Sequence, residues 1–411
     1  MLNKLLSGDY PRSRILTGML LVTLFLTAFL PFIVEILGVV EGRQMVINSG
    51  IKVCVFLLLA ASYDMLLGYT AVISFAHTVF FAIGAYAVAI VLTQVENPGW
   101  GALIAAVIIG MIVSGVIALI IALVGLRVRT LFFTMITLAV AEGFGYLLFK
   151  LSSFTGGEEG LNFDSLIPAL LQKKSMIMPG TLNMDESGIR YYAYYLIFFA
   201  TIALFWFMLR MVNSPLGKVL QAIRENDFRT EAIGFKPVIY RMIVIVVACS
   251  IATLAGSLYA IWLKSAVPNT YVSLVIMITI LIMVVIGGMG TIYGSVIGAV
   301  IMILMENYLN AGIRSVLGDG FHYLKEGGEV VMNGATVVLE KGIIYGDQLK
   351  AASDAKMDLS TVPVLYELVS AERWLMYLGI MYVLCVYFFN IGIVGKLRVM
   401  AFEKLLKKQQ A

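Results

Sequence analysis

Long, nearly unbroken apolar runs separated by short polar clusters dominate this chain. They lie near 15–36, 47–68, 77–95, 101–125, 130–150, 191–210, 239–262, 271–287, 291–310 and 373–391. A helix crosses the hydrocarbon core of a bilayer in about 20 residues, and only helices or closed barrels satisfy their own backbone there. The pattern predicts an all-α polytopic membrane protein of about ten transmembrane helices, some of them discontinuous or re-entrant. The first run follows Lys4, Arg12 and Arg14 and lacks a small-residue cleavage site, so it reads as a retained anchor.

The polar clusters orient the runs. With the N-terminus inside, the cytoplasm receives Arg127 and Arg129, the 210–241 stretch, and a tail containing Lys396, Arg398, Lys404, Lys407 and Lys408. The 210–241 stretch sets Arg210, Lys218, Arg224, Arg229, Lys236 and Arg241 against Glu225, Asp227 and Glu231. Every short loop obeys the positive-inside bias, which predicts an even span number with both termini cytoplasmic. Two longer loops, 151–190 and 311–372, fall outside. The second holds Glu329–Met332 and Ala335–Leu339 around Asn333-Gly334, a strong hairpin signal.

Composition agrees: 61% of residues are hydrophobic and only 13% charged, where a soluble domain carries about 25% charged. Cys54, Cys249 and Cys385 sit in apolar segments without ligand spacing, and His77 and His322 fall in different regions, so no metal site is expected. Nor is there a nucleic-acid signature. No nucleophile–base pair recurs at helix spacing, which argues against an intramembrane enzyme.

One cytoplasmic segment carries more order than a connector needs. Ser214 is placed to cap a helix opened by Pro215, and Leu216, Val219, Leu220 and Ile223 form one apolar face beside Ala222. Arg224, Glu225, Asn226, Asp227 and Arg229 are expected to point into the cytoplasm. Glu231, Ala232 and Ile233 follow in a second short helix ended by Gly234. The acids disfavour an anionic lipid surface, so the 210–238 loop reads as a docking surface for a soluble partner. That makes a transport permease driven from the cytoplasm the leading reading.

Within the apolar runs, Asp64, His77 and Glu142 are the clearest ionisable residues, and such groups should face a protein interior or a polar pathway. Asp64 and His77 flank Gly68-Tyr69-Thr70, where broken-helix backbone needs partners; Glu142 lies near the middle of its span. Ser74, Thr78 and Ala82 are expected on one small-residue helix face, and Gly290, Gly294 and Gly298 on another. Gly287-Gly288-Met289-Gly290 is placed to interrupt a helix. The bottom-up alternative is a secondary transporter relaying ions through Asp64 and Glu142.

At these residues the chain resembles the LivM-like permeases of bacterial branched-chain amino acid ABC importers. The resemblance runs from Ser62 through Leu397. Tyr69-Thr70-Ala71-Val72-Ile73-Ser74-Phe75-Ala76-His77 and Phe80-Phe81-Ala82-Ile83-Gly84-Ala85-Tyr86 resemble its first glycine-rich motif, although Ala71, Ala76 and Ala82 stand where glycine is frequent. Thr137-Leu138-Ala139 with Glu142, then Thr155-Gly156-Gly157 and Gly160-Leu161, resemble the next two. Arg224-Glu225-Asn226, Glu231-Ala232 and Gly234 resemble the family's coupling loop. Gly287-Gly288-Met289-Gly290-Thr291, Tyr293-Gly294 and Gly298-Ala299 resemble the late motif, and Gly392-Ile393-Val394-Gly395 the terminal one, with Asn390 where proline is common.

The resemblance implies one permease domain over 1–411 in the bacterial inner membrane. It implies a second, LivH-like permease subunit, two cytoplasmic ATPases and an extracytoplasmic solute-binding protein as partners. No glycine-rich phosphate loop followed by Lys-Ser/Thr occurs, so ATP and Mg belong to the partner ATPases and this chain is not itself an enzyme. Leucine, isoleucine or valine is the implied cargo. A close branch handles urea or short amides, and Ser265-Ala266-Val267-Pro268 sits nearer the amino-acid branch.

Overall fold

The computed structural model describes residues 25, 27–31, 43–96, 98–128, 130–172 and 190–317, the strand segments named below, and 379–380, 383 and 387. The ends of the first predicted span, most of the last, the 392–395 glycines and the basic tail lie outside the described residues, as do Asn333 and Gly334.

Two compact units emerge, one formed by Met1–Val300 with Ile391–Ala411 and the other by Ile301–Asn390. The first is helical. Its long elements are α1 (Arg43–Thr70), α2 (His77–Gln94), α3 (Trp100–Gly125), α4 (Thr130–Lys150), α5 (Tyr191–Val212), the short α6 (Pro215–Glu225) and α7 (Asp227–Ala232), α8 (Pro237–Leu263) and α9 (Leu274–Gly287). A further helix, α10, spans Ile292–Leu317. Seven described segments are long and apolar enough to cross a membrane, with Pro268–Gly287 counted as one. The protein is therefore an all-α polytopic membrane protein with at least seven long apolar helices.

Small residues hold the centre of the helical unit together. Along α3, Ala106, Gly110, Ser114, Ala118 and Ala122 are buried, while Ile104, Ile108, Ile112 and Val116 on the opposite face are exposed. A helix that buries its small residues and exposes its large ones faces lipid, because packing in a bilayer rewards close backbone approach. α8 lies against α1, α2 and α3. A Cβ added at Gly84 of α2 would meet Thr253 O at 1.9 Å, and one at Gly256 of α8 would meet Phe81 O at 1.9 Å. The two backbones touch. Ser257 donates to Gly84 O at 3.1 Å, and Thr253 donates to Ser114 Oγ at 2.7 Å, so three helices share one hydroxyl cluster.

On one side, Leu161–Asn162 (β1) pairs antiparallel with Ser265–Ala266 (β2), and Phe163 N donates to Lys264 O at 3.0 Å. Asp164 and Lys264 close this turn as an ion pair. Gly160 sits at φ +72°, and an added Cβ would meet Ala266 O at 2.2 Å, so a bare backbone is required there. The second unit contains β3 (His322–Leu324), β4 (Gly328–Met332), β5 (Ala335–Leu339), β6 (Gly342–Ile344) and β7 (Leu359–Thr361). β4 and β5 pair antiparallel with Met332 opposite Ala335, and a separate three-stranded sheet has the order β6-β3-β7.

Candidate functional site

Two helix interruptions organise the site. The first separates α1 from α2 over residues 71–76. Thr134 Oγ1 of α4 donates to Ile73 O at 3.2 Å, and Phe75 N donates to Thr137 Oγ1 at 3.0 Å. Two threonines one turn apart thus satisfy backbone that neither helix reaches. Ala71 adopts φ 53°, a left-handed conformation that disfavours a Cβ. His77, the first residue of α2, is fully buried and shares a hydrogen bond of 2.9 Å with Ser62 Oγ, two turns before the end of α1. The chain therefore doubles back along α1 before α2 begins. Ser74 lies in this interruption and not in α2, so it does not share a helix face with Thr78 and Ala82; the pinned turn at 71–76 displaces it.

The second interruption lies between α9 and α10. Gly288 and Gly290 sit at φ +117° and +81°. A Cβ on Gly287 would meet Gly294 O at 1.9 Å, and one on Gly298 would meet Met283 O at 1.8 Å, so the two helices close like a hairpin with backbones in contact. Thr291 Oγ1 donates to Gly288 O at 2.7 Å. Gly290 belongs to the turn, which separates it from the Gly294–Gly298 ridge. α9 has 14 residues, or about 21 Å of rise, short of the roughly 30 Å core.

Asp64 joins the two interruptions. Its carboxylate is fully buried, and Oδ1 accepts from Gly290 N at 2.8 Å. Gly68, one turn further along α1, presents its carbonyl to the Arg224 guanidinium. A Cβ on Gly290 would meet Arg224 Nη1 at 2.4 Å and Gly68 O at 3.0 Å. The end of α1, the α9–α10 turn and the end of α6 meet at one point.

Arg224 is exposed, as the sequence pattern expects, yet its guanidinium also reaches back to the bundle. The reason is the carbonyl at Gly68, an acceptor near a helix C-terminus that α1 does not use. The rest of the segment divides by face. Gly217, Leu220 and Ile223 are buried, with Leu216 half-buried. Ser214 occupies the cap position, but its hydroxyl donates to Met211 O at 2.6 Å instead of capping α6. Asn226 caps α7 by accepting from Arg229 N at 3.0 Å, and Asp227 pairs with Arg241 of α8 at 2.9 Å. Gly234 turns the chain at φ +98° just past α7. Glu225, Glu231 and Ala222 are exposed. So are Phe228 at 85% and Ile233 at 75%, two apolar side chains on a polar surface that charge patterning had not singled out.

A cavity of about 390 Å³ opens where α2, α4 and the start of α9 come together. Phe75 and Thr78 border it beside the first interruption, Asn269 and Ser273 just before α9, and Glu142 from α4. Leu138, Phe149, Val272 and Met277 supply apolar wall. Glu142 is exposed and has no ion-pair or hydrogen-bond partner among the described residues. A charge near the middle of a span costs about 2.5–3.5 kcal/mol by insertion scales, so a lone carboxylate there faces water or a ligand. Among the described residues no group of His, Cys, Asp and Glu is arranged to hold a metal ion.

The sequence profile described as "Branched-chain amino acid transport system / permease component" matches residues 45–325. The "Probable branched-chain amino acid transport permease protein LivM" of Methanocaldococcus jannaschii is 23% identical over 232 residues, covering 55% of this chain and 63% of that protein. The "High-affinity branched-chain amino acid transport system permease protein LivM" of Salmonella typhimurium is 24% identical over 268 residues, 62% of this chain and 61% of that protein. Its Escherichia coli counterpart is 22% identical with the same coverage. The chain thus matches along 61–63% of the length of these relatives. No solved structure matches it. With the apolar helices, the paired interruptions and the profile match over most of its length, the chain belongs to the permease-component family of branched-chain amino acid transport systems, as a membrane-spanning subunit and not an ATPase.

Proposed function

We propose that this chain is the translocating subunit of an ATP-driven importer that carries leucine, isoleucine or valine inward. In this reading it has ten spans with both termini in the cytoplasm. It pairs with a second, homologous permease, receives cargo from an extracytoplasmic binding protein, and takes its energy from two cytoplasmic ATPases. The LivM-type relatives support the cargo, and the basic 210–241 stretch supports the orientation.

The observation that carries the reading is the Arg224–Gly68 hydrogen bond beside the Asp64–Gly290 contact. It ties the docking segment to the end of α1, next to both helix interruptions. Phe228 and Ile233, with Glu225 around them, form the outward surface that a soluble ATPase covers. Binding or hydrolysis of ATP shifts the permease only if the docked partner differs in affinity for the two access states. A segment fixed to α1 and to the α9–α10 turn converts that difference into movement of the bundle.

Reconstitution with the partner permease, ATPases and binding protein tests this directly. Phe228→Asp should reduce ATPase co-purification by about tenfold, in line with loss of an interface anchor. Arg224→Ala should leave co-purification intact and cut transport per ATP hydrolysed. Ion-driven uptake in liposomes lacking every ATPase would refute the importer reading in favour of a secondary transporter. A panel of amino acids, urea and short amides identifies the cargo.

A further inference from the structure

We infer that the Glu142 cavity is a binding site for an amino acid, with the Glu142 carboxylate receiving the ligand's ammonium group and the apolar wall its branched side chain. The branched side chain rests on the importer reading above; the ammonium rests on the cavity alone.

The volume, about 390 Å³, lies within the usual range for small-ligand sites, and the lining combines apolar side chains with polar groups in comparable measure, which suits a ligand that is itself part polar and part apolar. Glu142 is the one charged residue among those that line it. No cation of the described protein pairs with it. A carboxylate held in this setting selects a cationic donor and rejects an anion of the same shape. Leu138, Phe149, Val272 and Met277 leave the remaining wall without charge, which suits an isobutyl or isopropyl group.

The opposite end of the ligand has its own chemistry. Asn269 and Ser273 border the cavity at the start of α9. Ser273 caps that helix, its Oγ accepting from Val275 N at 3.3 Å, and its hydroxyl hydrogen is left to donate. The Ser273 hydroxyl at the positive end of this 14-residue helix, with the Asn269 amide from the preceding turn Pro268–Tyr271, receives a carboxylate, the other half of a zwitterion. The cavity also touches Phe75, whose N–H is held by Thr137 of α4, so an occupant of this space contacts the first interruption directly.

The test measures equilibrium binding to the full-length chain assembled with its permease and ATPase partners in nanodiscs, without the solute-binding protein. The probes are L-leucine, isoamylamine, which lacks the carboxylate, and isocaproate, which lacks the amine. Leucine and isoamylamine should compete for one site and isocaproate should fail to compete. Glu142→Gln should weaken both amines by about tenfold or more, the loss of a charged hydrogen bond, and Glu142→Asp should recover part of it. Unchanged affinity in Glu142→Gln, isocaproate competing as well as isoamylamine, or no binding of either amine by the wild type would overturn the site. So would a Glu142→Gln chain that assembles poorly yet binds leucine normally, which would make Glu142 a contact to the partner permease. ATP-dependent leucine uptake is measured in parallel. Normal uptake and binding in Glu142→Gln sinks this site and leaves the importer reading standing. Amine binding lost in Glu142→Gln, with no ATP-driven uptake of any branched-chain amino acid by the wild type, upholds the site and removes the cargo reading.

Discussion

Asp64 and Glu142 are both carboxylates in apolar helices, and the protein treats them in opposite ways. Asp64 is fully buried at a meeting of three backbone elements, with Gly290 N–H on one oxygen and Arg224 close by. Glu142 is exposed beside a cavity and lacks a partner among the described residues. Asp64 is enclosed, with one oxygen tied to the α9–α10 turn, whereas Glu142 is open to whatever enters the cavity. The same residue class therefore meets two different surroundings in one bundle, a backbone junction and an open cavity.

The largest expected effect separates these two roles. Asp64→Ala leaves the half-buried Gly290 N–H without its acceptor and should cost about 1.5–3 kcal/mol of stability. Glu142→Ala should leave stability unchanged or slightly raised, since it removes an uncompensated charge. Thermal unfolding in detergent checks both, and equal destabilisation would erase the distinction. A smaller effect is expected at the interruption next to Asp64. Ala71 sits at φ 53°, so Ala71→Gly should stabilise by about 0.5–1 kcal/mol, relief of left-handed strain less the added chain entropy. A loss of stability would mean that the turn gains more from the methyl group than it loses in strain. The smallest effect is expected for Ser214→Ala, at most about 0.5 kcal/mol, because the hydroxyl bonds Met211 O and caps nothing. A loss of about 1 kcal/mol or more would instead be the signature of a true N-cap.

Much of this organisation was legible in the chain. The apolar runs at 47–68, 77–95, 101–125, 130–150, 191–210 and 239–262 all coincide with long helices, because twenty apolar residues in a row have one stable solution in a bilayer. Gly287-Gly288-Met289-Gly290 announced its interruption through residues that accept positive φ. The 71–76 interruption was harder to place. Ala71 takes a glycine-like conformation without being glycine, and the threonines that pin the turn come from a helix 61 and 62 residues away in sequence. Ser74 was assigned to the following helix for that reason. Arg224 is exposed as its polar loop suggests, but its contact with Gly68 O is illegible locally, because the carbonyl lies 156 residues away. Gly256 passed unnoticed as well, since its role depends on the Phe81 carbonyl across the helix pair.

By itself, the sequence determined that this protein lives in a membrane, where its main helices lie, that the 214–234 segment has an apolar face and a charged one, and that these 411 residues hold no glycine-rich phosphate loop followed by Lys-Ser/Thr. These follow from one-dimensional patterns: run length, helical period and spacing of residue types. Only the tertiary structure decided which polar groups find each other. Asp64 meets Gly290, Arg224 meets Gly68 and Glu142 meets open space, because pairing depends on distance after folding, and distance along the chain does not encode it.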